Sequence, residues 1–199
     1  MKHIRRIRRS ELPPDTVKLA RFLIGKTIVR ELPRGRLSGR IVETEAYLPA
    51  DAACHAFRGP TPRNRSLFLD HGHAYVYFVY GAHYMLNVSS EPRGTGAGIL
   101  LRAIEPLEGI EVMKRIRGTS ILADLARGPG RLAAALRITS GLDGLDLSGP
   151  GPLWLGASER PAGPIGISVR IGVTKDAHRL LRFYERGNAY VSGPKRLRV

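Results

Sequence analysis

The chain reads as a single α+β domain: a curved, largely antiparallel sheet with flanking helices and a protruding β-hairpin. Three observations predict this. Short runs rich in β-branched and aromatic residues are joined by tight turns, Pro33-Arg34-Gly35 and Gly81-Ala82-His83, that suit antiparallel neighbours. Strand and helix patterns do not alternate regularly, as a doubly wound parallel sheet would require. The 199 residues, 43% of them hydrophobic, suffice for one sizeable core. No repeat, low-complexity tract or linker divides them, so residues 1–199 are taken as one domain with short basic ends.

The elements follow in order. Pro13-Pro14-Asp15 opens a helix with Asp15 as N-cap; Val17, Ala20 and Ile24 recur at helical spacing and Gly25 closes it. Residues 27–32 and 37–47 are predicted strands. Residues 48–62 look irregular, and residues 64–69 form a short helical turn. Residues 74–80 and 84–89 make the two arms of the hairpin, and residues 98–104 a further strand. The pattern predicts an amphipathic helix over residues 106–117, carrying Leu107, Ile110 and Met113 with Pro106 in its first turn. Helical patterns at 121–126 and 131–138 lead into a Gly/Pro-rich loop. A late strand is expected at 165–173, before a basic C-terminal end.

Charge narrows the function. A formal net charge of +15 and a pI near 10.8 point to a polyanionic partner. Arginine far outnumbers lysine, which suits bidentate phosphate contacts, although a GC-rich genome would produce the same bias. The basic residues recur along the whole chain, as a folded basic surface requires. No run approaches the roughly 20 apolar residues of a membrane span. The basic N-terminus lacks the apolar stretch of a signal peptide. Cys54 is the only cysteine, so an intrachain disulfide is ruled out and a reducing cytoplasm, with association to the nucleoid, is the expected location.

The most informative stretch is Gly39-Arg40-Ile41-Val42-Glu43-Thr44-Glu45-Ala46-Tyr47. With a period of two, Ile41, Glu43, Glu45 and Tyr47 share one face and Val42, Thr44 and Ala46 the other. Two carboxylates and an aromatic ring in line suggest a site; the alternative is an exposed face whose glutamates pair with nearby arginines. The hairpin run from Tyr75 to Tyr84 concentrates the aromatic residues of a chain that is only 7% aromatic. Tyr75 and Tyr77 should point one way, with Tyr80 at the tip. Such rings either pack in the core or offer flat surfaces on which bases stack. Thr61-Pro62-Arg63-Asn64-Arg65 is a basic turn suited to phosphate, and Gly128-Pro129-Gly130-Arg131 opens a helix whose N–H groups could hold one. Cys54, His55, His71, His73 and His83 form no recognised metal-ligand pair, so no metal is expected.

Taken together, residues 39–47, Thr61-Pro62-Arg63-Asn64-Arg65, Tyr75-Val76-Tyr77 with Tyr80-Gly81, Asn87-Val88-Ser89-Ser90, residues 100–109 and Arg182-Phe183-Tyr184-Glu185-Arg186-Gly187 resemble the alkyladenine (3-methylpurine) DNA glycosylase family. The match runs in consistent order from about residue 12 to 192. It implies a monofunctional enzyme, likewise without organic cofactor, that flips a damaged purine out of duplex DNA and hydrolyses its N-glycosidic bond. In that scheme Glu45 matches the general base that deprotonates the attacking water, and Arg102 the arginine that holds both water and carboxylate. Ile171 matches a residue whose backbone carbonyl also holds the water. Tyr47, His55 and Tyr77 match the side chains that contact the flipped base. Asn87 matches the residue that crowds the 2-amino group of guanine, and Tyr80 the ring that fills the vacated space. Arg63 and Arg65 are candidate phosphate contacts. His83 stands where vertebrate members have tyrosine, and residues 47–55 are one residue shorter, differences that bear on substrate preference.

The resemblance makes duplex DNA containing damaged purines the expected partner, with the protein acting as a monomer. Two other classes remain open on the residues alone. A non-catalytic nucleic-acid-binding module would use the tyrosine hairpin as a stacking platform, and a ribosome-associated basic protein would explain the charge but not the carboxylate strand. A bifunctional glycosylase-lyase is a further variant.

Overall fold

The computed structural model of the chain describes residues 4–79, 81–158 and 160–194. The expected α+β architecture is what forms: an eight-stranded, entirely antiparallel sheet curled into a half-barrel, with four short helices. Helix α1 (Thr16–Leu23) begins as predicted, with the Asp15 carboxylate accepting from the Lys18 N–H at 2.7 Å. Strand β1 (Thr27–Leu32) turns through Pro33 and Arg34 into β2 (Gly35–Tyr47), the 13-residue backbone of the sheet. Strands β3 (Ala74–Val79) and β4 (His83–Ser89) pair as a hairpin, and β5 (Gly98–Glu108) follows. Helices α2 (Ile110–Arg117), α3 (Leu122–Leu125) and α4 (Pro129–Ala135) precede β6 (Leu153–Gly156), β7 (Ile165–Ser168) and β8 (Arg182–Glu185).

The sheet runs β3-β4-β5-β2-β1-β6, and β2 also pairs with β8, which carries β7. One edge of β2 is therefore shared: β1 covers its first half and β8 its second. The changeover coincides with a bulge at Val42, since Ile41 pairs with Ile104 and Glu43 with Ala103. A bulged strand twists and bends, which curls the sheet around the site.

Three expectations change. Residues 106–108 extend β5, with Pro106 opposite Gly39, so the helix starts only at Ile110. Gly109 makes that break: its φ is +73°, and a Cβ there would lie 2.6 Å from the Arg36 carbonyl oxygen. Helix periodicity in 106–117 came from Leu107, which is exposed at the end of the strand. The strict alternation along β2 also fails, because the bulge shifts its phase. Ile41 joins Ala46 in the main core, while Val42 packs with Ala103, Tyr184 and Val191. Thr44 anchors the core face by donating to the Ala20 carbonyl of α1 at 3.0 Å. Finally, the strand expected over 165–173 stops at Ser168, and β6 and β8 had no sequence signal as strands, being only four residues each.

No helix among the described residues is long and apolar enough to cross a membrane. The charged interior balances. Among the described residues, the buried ionic side chains are Arg40, Arg102, Arg170 and Arg182 against Glu43, Glu45, Asp51 and Glu185. None of the cationic excess is therefore neutralised or consumed inside, and it is carried outside the core.

Candidate active site

The curled sheet leaves a cavity of about 480 Å³ at the Tyr47 end of β2. Tyr47, His55, Tyr77, Asn87, Arg102 and Ile171 all line it, so six of the predicted site residues converge from four strands and two loops. The seventh, Glu45, lies directly behind this wall with no exposed surface. The alternative of solvent-exposed glutamates paired on the surface is excluded, because Glu43 is equally buried.

The two carboxylates differ in their surroundings. Glu43 is saturated. Its Oε1 accepts from Arg102 Nε at 2.9 Å, Arg182 Nε at 2.6 Å and the Ser192 hydroxyl at 2.9 Å, and its Oε2 from the Ser192 N–H at 2.7 Å. Burial alone would raise its pKa, but the two guanidinium groups more than offset this and hold it below the usual range. Glu45 faces cavity-lining groups instead. Its Oε1 accepts from the Ile171 N–H at 2.7 Å. Its Oε2 collects the Tyr47 hydroxyl at 3.0 Å and Arg102 Nη1 at 3.2 Å. Arg102 thus bridges the structural and the cavity-side carboxylate. Burial disfavours its charge, yet Glu45 and Glu43 together raise its pKa above the ordinary arginine value.

The cavity walls are aromatic. Tyr75 and Tyr77 lie on the same side of β3, as the alternation predicts, with ring centroids 5.3 Å apart. His55 meets Tyr77 edge-on at 4.5 Å and shares a 2.9 Å hydrogen bond between Nδ1 and the Tyr75 hydroxyl. Although His55 keeps an exposed edge, desolvation by the protein on its inner side and the charge of Arg63 lower its pKa. The imidazole is accordingly neutral at pH 7. Tyr47 is pushed the other way: burial and the Glu45 carboxylate raise its pKa, so the phenol stays a proton donor to Glu45. Asn87 is fixed by donating to the Tyr75 carbonyl at 3.2 Å.

The remaining predicted residues fall outside this cluster. Arg63 is exposed, donates to the Phe78 carbonyl at 3.1 Å, and lines a smaller neighbouring cavity with Arg58 and Lys175. Arg65 is exposed in a 3-10 turn over Arg65–Phe68 and lines neither cavity. Between them, Asn64 is a buried bracket, donating to the His55 and Gly59 carbonyls at 2.8 and 3.1 Å and fixing the loop that carries His55. Tyr80 lies outside the described residues. Gly130, at the opening of α4, packs against the His83 ring, so a Cβ there would meet it at 3.1 Å. Among the described residues no three His, Cys, Asp or Glu side chains converge as a metal site.

Among the supporting residues missed by the sequence reading is Arg170. Arg170 is buried and pairs with both Asp51 oxygens. It also donates to the Ala46 carbonyl at 3.1 Å and places its guanidinium 4.7 Å from the Tyr47 ring centroid. It therefore fixes the Tyr47 ring and, through the next residue, the Ile171 N–H on Glu45. The available signal was an arginine interrupting the apolar run 165–173. Arg170→Ala should cost about 3–5 kcal/mol by leaving Asp51 buried and unpaired. For a chain of this size that lowers Tm by roughly 6–20 °C in a thermal melt. Arg170→Lys, which keeps the charge but loses the fork, should recover only part of that stability.

The comparisons with known proteins agree along nearly the whole chain. The family model for methylpurine-DNA glycosylase matches residues 10–189. A protein of Mesorhizobium japonicum is 67% identical over 191 residues, covering 96% of this chain and 92% of its own length. One of Paraburkholderia phytofirmans is 54% identical with 96% and 90% coverage, and one of the archaeon Methanocella arvoryzae 45% identical with 89% and 90%. Each carries the name "Putative 3-methyladenine DNA glycosylase".

Proposed function

The chain belongs to the methylpurine-DNA glycosylase family, and from that premise we propose that it is a monofunctional hydrolase acting on the N-glycosidic bond of damaged purines in duplex DNA. The observation that carries the reading is Glu45. It is a buried carboxylate with one oxygen fixed by a backbone N–H and the other shared between two groups of the cavity wall, Tyr47 and Arg102.

The chemistry follows from that arrangement. A purine flipped into the cavity lies between Tyr47, Tyr77 and His55. Cleavage of its glycosidic bond develops positive charge on the sugar, which a carboxylate stabilises and which a water attacks. Oε2 of Glu45 is the oxygen that takes the water's proton, since its partners Tyr47 and Arg102 are the side chains that line the cavity. Arg102 orients that water beside Oε2, next to the Tyr47 hydroxyl. A purine alkylated at N3 or N7 is cationic and leaves readily. The aromatic walls favour it by cation–π attraction of roughly 1–2 kcal/mol when desolvated. A neutral His55 adds no repulsive charge, and the Arg102 charge is balanced by Glu43 and Glu45. Asn87 lines the same cavity, which supports the role that the family resemblance gives it, crowding the 2-amino group of guanine.

The testing experiment measures release of free base from duplexes containing methylated purines or hypoxanthine. Release establishes the activity; a folded, DNA-binding protein that releases none of them returns the cavity to a stacking platform. A basic surface free of internal compensation also predicts a salt dependence. Three phosphate contacts would weaken duplex binding by roughly 40-fold between 50 and 200 mM salt. Fluorescence anisotropy should show at least a tenfold loss, and a flat profile would contradict a phosphate-binding surface.

A further inference from the structure

A second basic feature lies at the other end of β2. The β1–β2 turn, one face of α2 and the residue that follows the C-cap of α4 enclose a groove of about 660 Å³. Its apolar lining comes from Leu32, Pro33, Val112 and Ile116, and its rim carries Arg34, Arg115 and Arg137. Val112, Arg115 and Ile116 share a stripe of α2 at i, i+3 and i+4, while Met113 turns into the core.

The three rim arginines are exposed, and none has a carboxylate partner among the described residues. Neighbouring Arg36, by contrast, is paired with Glu31 at 2.8 Å. A fourth cation, Arg30, lies near enough to feel Arg137; its Nη1 donates to the Glu31 and Pro152 carbonyls, and its Nε is buried without a hydrogen-bond partner. Burial, and then the charge of Arg137, lower its pKa. The cluster is thus electrostatically uncompensated. Arg137 adds a conformational cost. It holds φ at +52° one residue past the C-cap Leu136, where glycine ordinarily stands. A non-glycine residue there is strained, and strain of this kind asks for a functional reason.

We propose that this groove docks a protein partner through a segment in which acidic residues alternate with aliphatic ones. The carboxylates would meet the three arginines, and the aliphatic side chains would cover the apolar lining. DNA fits less well. Phosphates would use the arginines but leave the four apolar residues without a partner. Helix α4 spans from the cavity to the groove, since Pro129 at its start lines the first and Arg137 just past its C-cap lines the second.

The test uses the full chain and a fluorescein-labelled peptide alternating glutamate with leucine, followed by anisotropy at physiological salt. Wild type should bind it more tightly than a polyglutamate peptide of equal length. The triple variant Arg34→Glu/Arg115→Glu/Arg137→Glu should weaken binding at least tenfold, with lesion excision and duplex affinity unchanged. Arg137→Gly, which removes one charge while relaxing the backbone, gives a partial loss that unfolding cannot explain. Equal binding by wild type and variants, or equal binding of polyglutamate, overturns the proposal. A matching drop in duplex affinity also overturns it, by assigning these arginines to the DNA surface.

Discussion

Glu45→Gln is expected to lower excision by about 10²–10⁴-fold or more while binding to lesion-containing duplex stays within a few-fold of wild type. The substitution preserves shape, and the amide oxygen can still accept from the Ile171 N–H. The amide nitrogen then replaces Oε2. It cannot take a proton from water at neutral pH, and it no longer offsets positive charge on the sugar. Tyr47 adapts, because its hydroxyl can turn and accept. Arg102 Nη1 loses an acceptor, but Arg102 Nε keeps Glu43. The stability cost should therefore be about 1–3 kcal/mol, leaving a folded protein. Single-turnover base release and duplex anisotropy on the same preparations separate the possibilities. Excision that persists removes Glu45 from the role of base, and loss of binding alongside excision makes it a positioning residue for the cavity.

How far the sequence reached can be seen residue by residue. Glu45, Tyr47, His55, Tyr77, Asn87, Arg102 and Ile171 come from distant segments, and only the resemblance to a family could gather them. Physical pattern alone pointed to β2 and the tyrosine hairpin, because alternation and aromatic density are local signals. What stayed hidden was mostly non-local. The bulge at Val42 arises from β2 changing its partner from β1 to β8, which no period along β2 can reveal. The helix expected over 106–117 failed because residues 106–108 are claimed by β5, with Pro106 and Glu108 paired to β2, a tertiary effect that overrides amphipathic spacing. The sequence assigned no role to Arg170 or Arg182, and only their burial beside Asp51 and Glu43 shows them to be interior struts. A strongly basic composition conceals such residues, since nothing in a count separates an arginine facing solvent from one facing a carboxylate.

That distinction gives the largest effect on stability, at Glu43. Its carboxylate accepts four hydrogen bonds and is the shared counter-charge of Arg102 and Arg182. Replacing an entire buried ionic cluster with apolar residues can be neutral, but removing one partner leaves charge stranded at a cost of about 3–5 kcal/mol. Glu43→Ala takes a carboxylate partner from both Arg182 and Arg102, of which Arg102 keeps Glu45, and frees the Ser192 N–H, so its cost should lie toward the upper end of that range. Against a total stability of roughly 5–15 kcal/mol, this is enough to unfold much of the protein. The same carboxylate sets a pH dependence. Its folded pKa is depressed, so its contribution is complete above the unfolded value of about 4.3 and is lost as pH falls toward the folded value. Urea melts of wild type between pH 5 and 3 should therefore show stability falling with acid, and Glu43→Gln should flatten that fall by up to about 1.4 kcal/mol per pH unit. Where Glu43→Gln remains folded, it should retain part of the excision that Glu45→Gln abolishes, because Arg102 still meets Glu45. A Glu43→Ala protein as stable as wild type would refute the view that this glutamate is structural. A Glu43→Gln variant as inactive as Glu45→Gln would make the two carboxylates a catalytic pair.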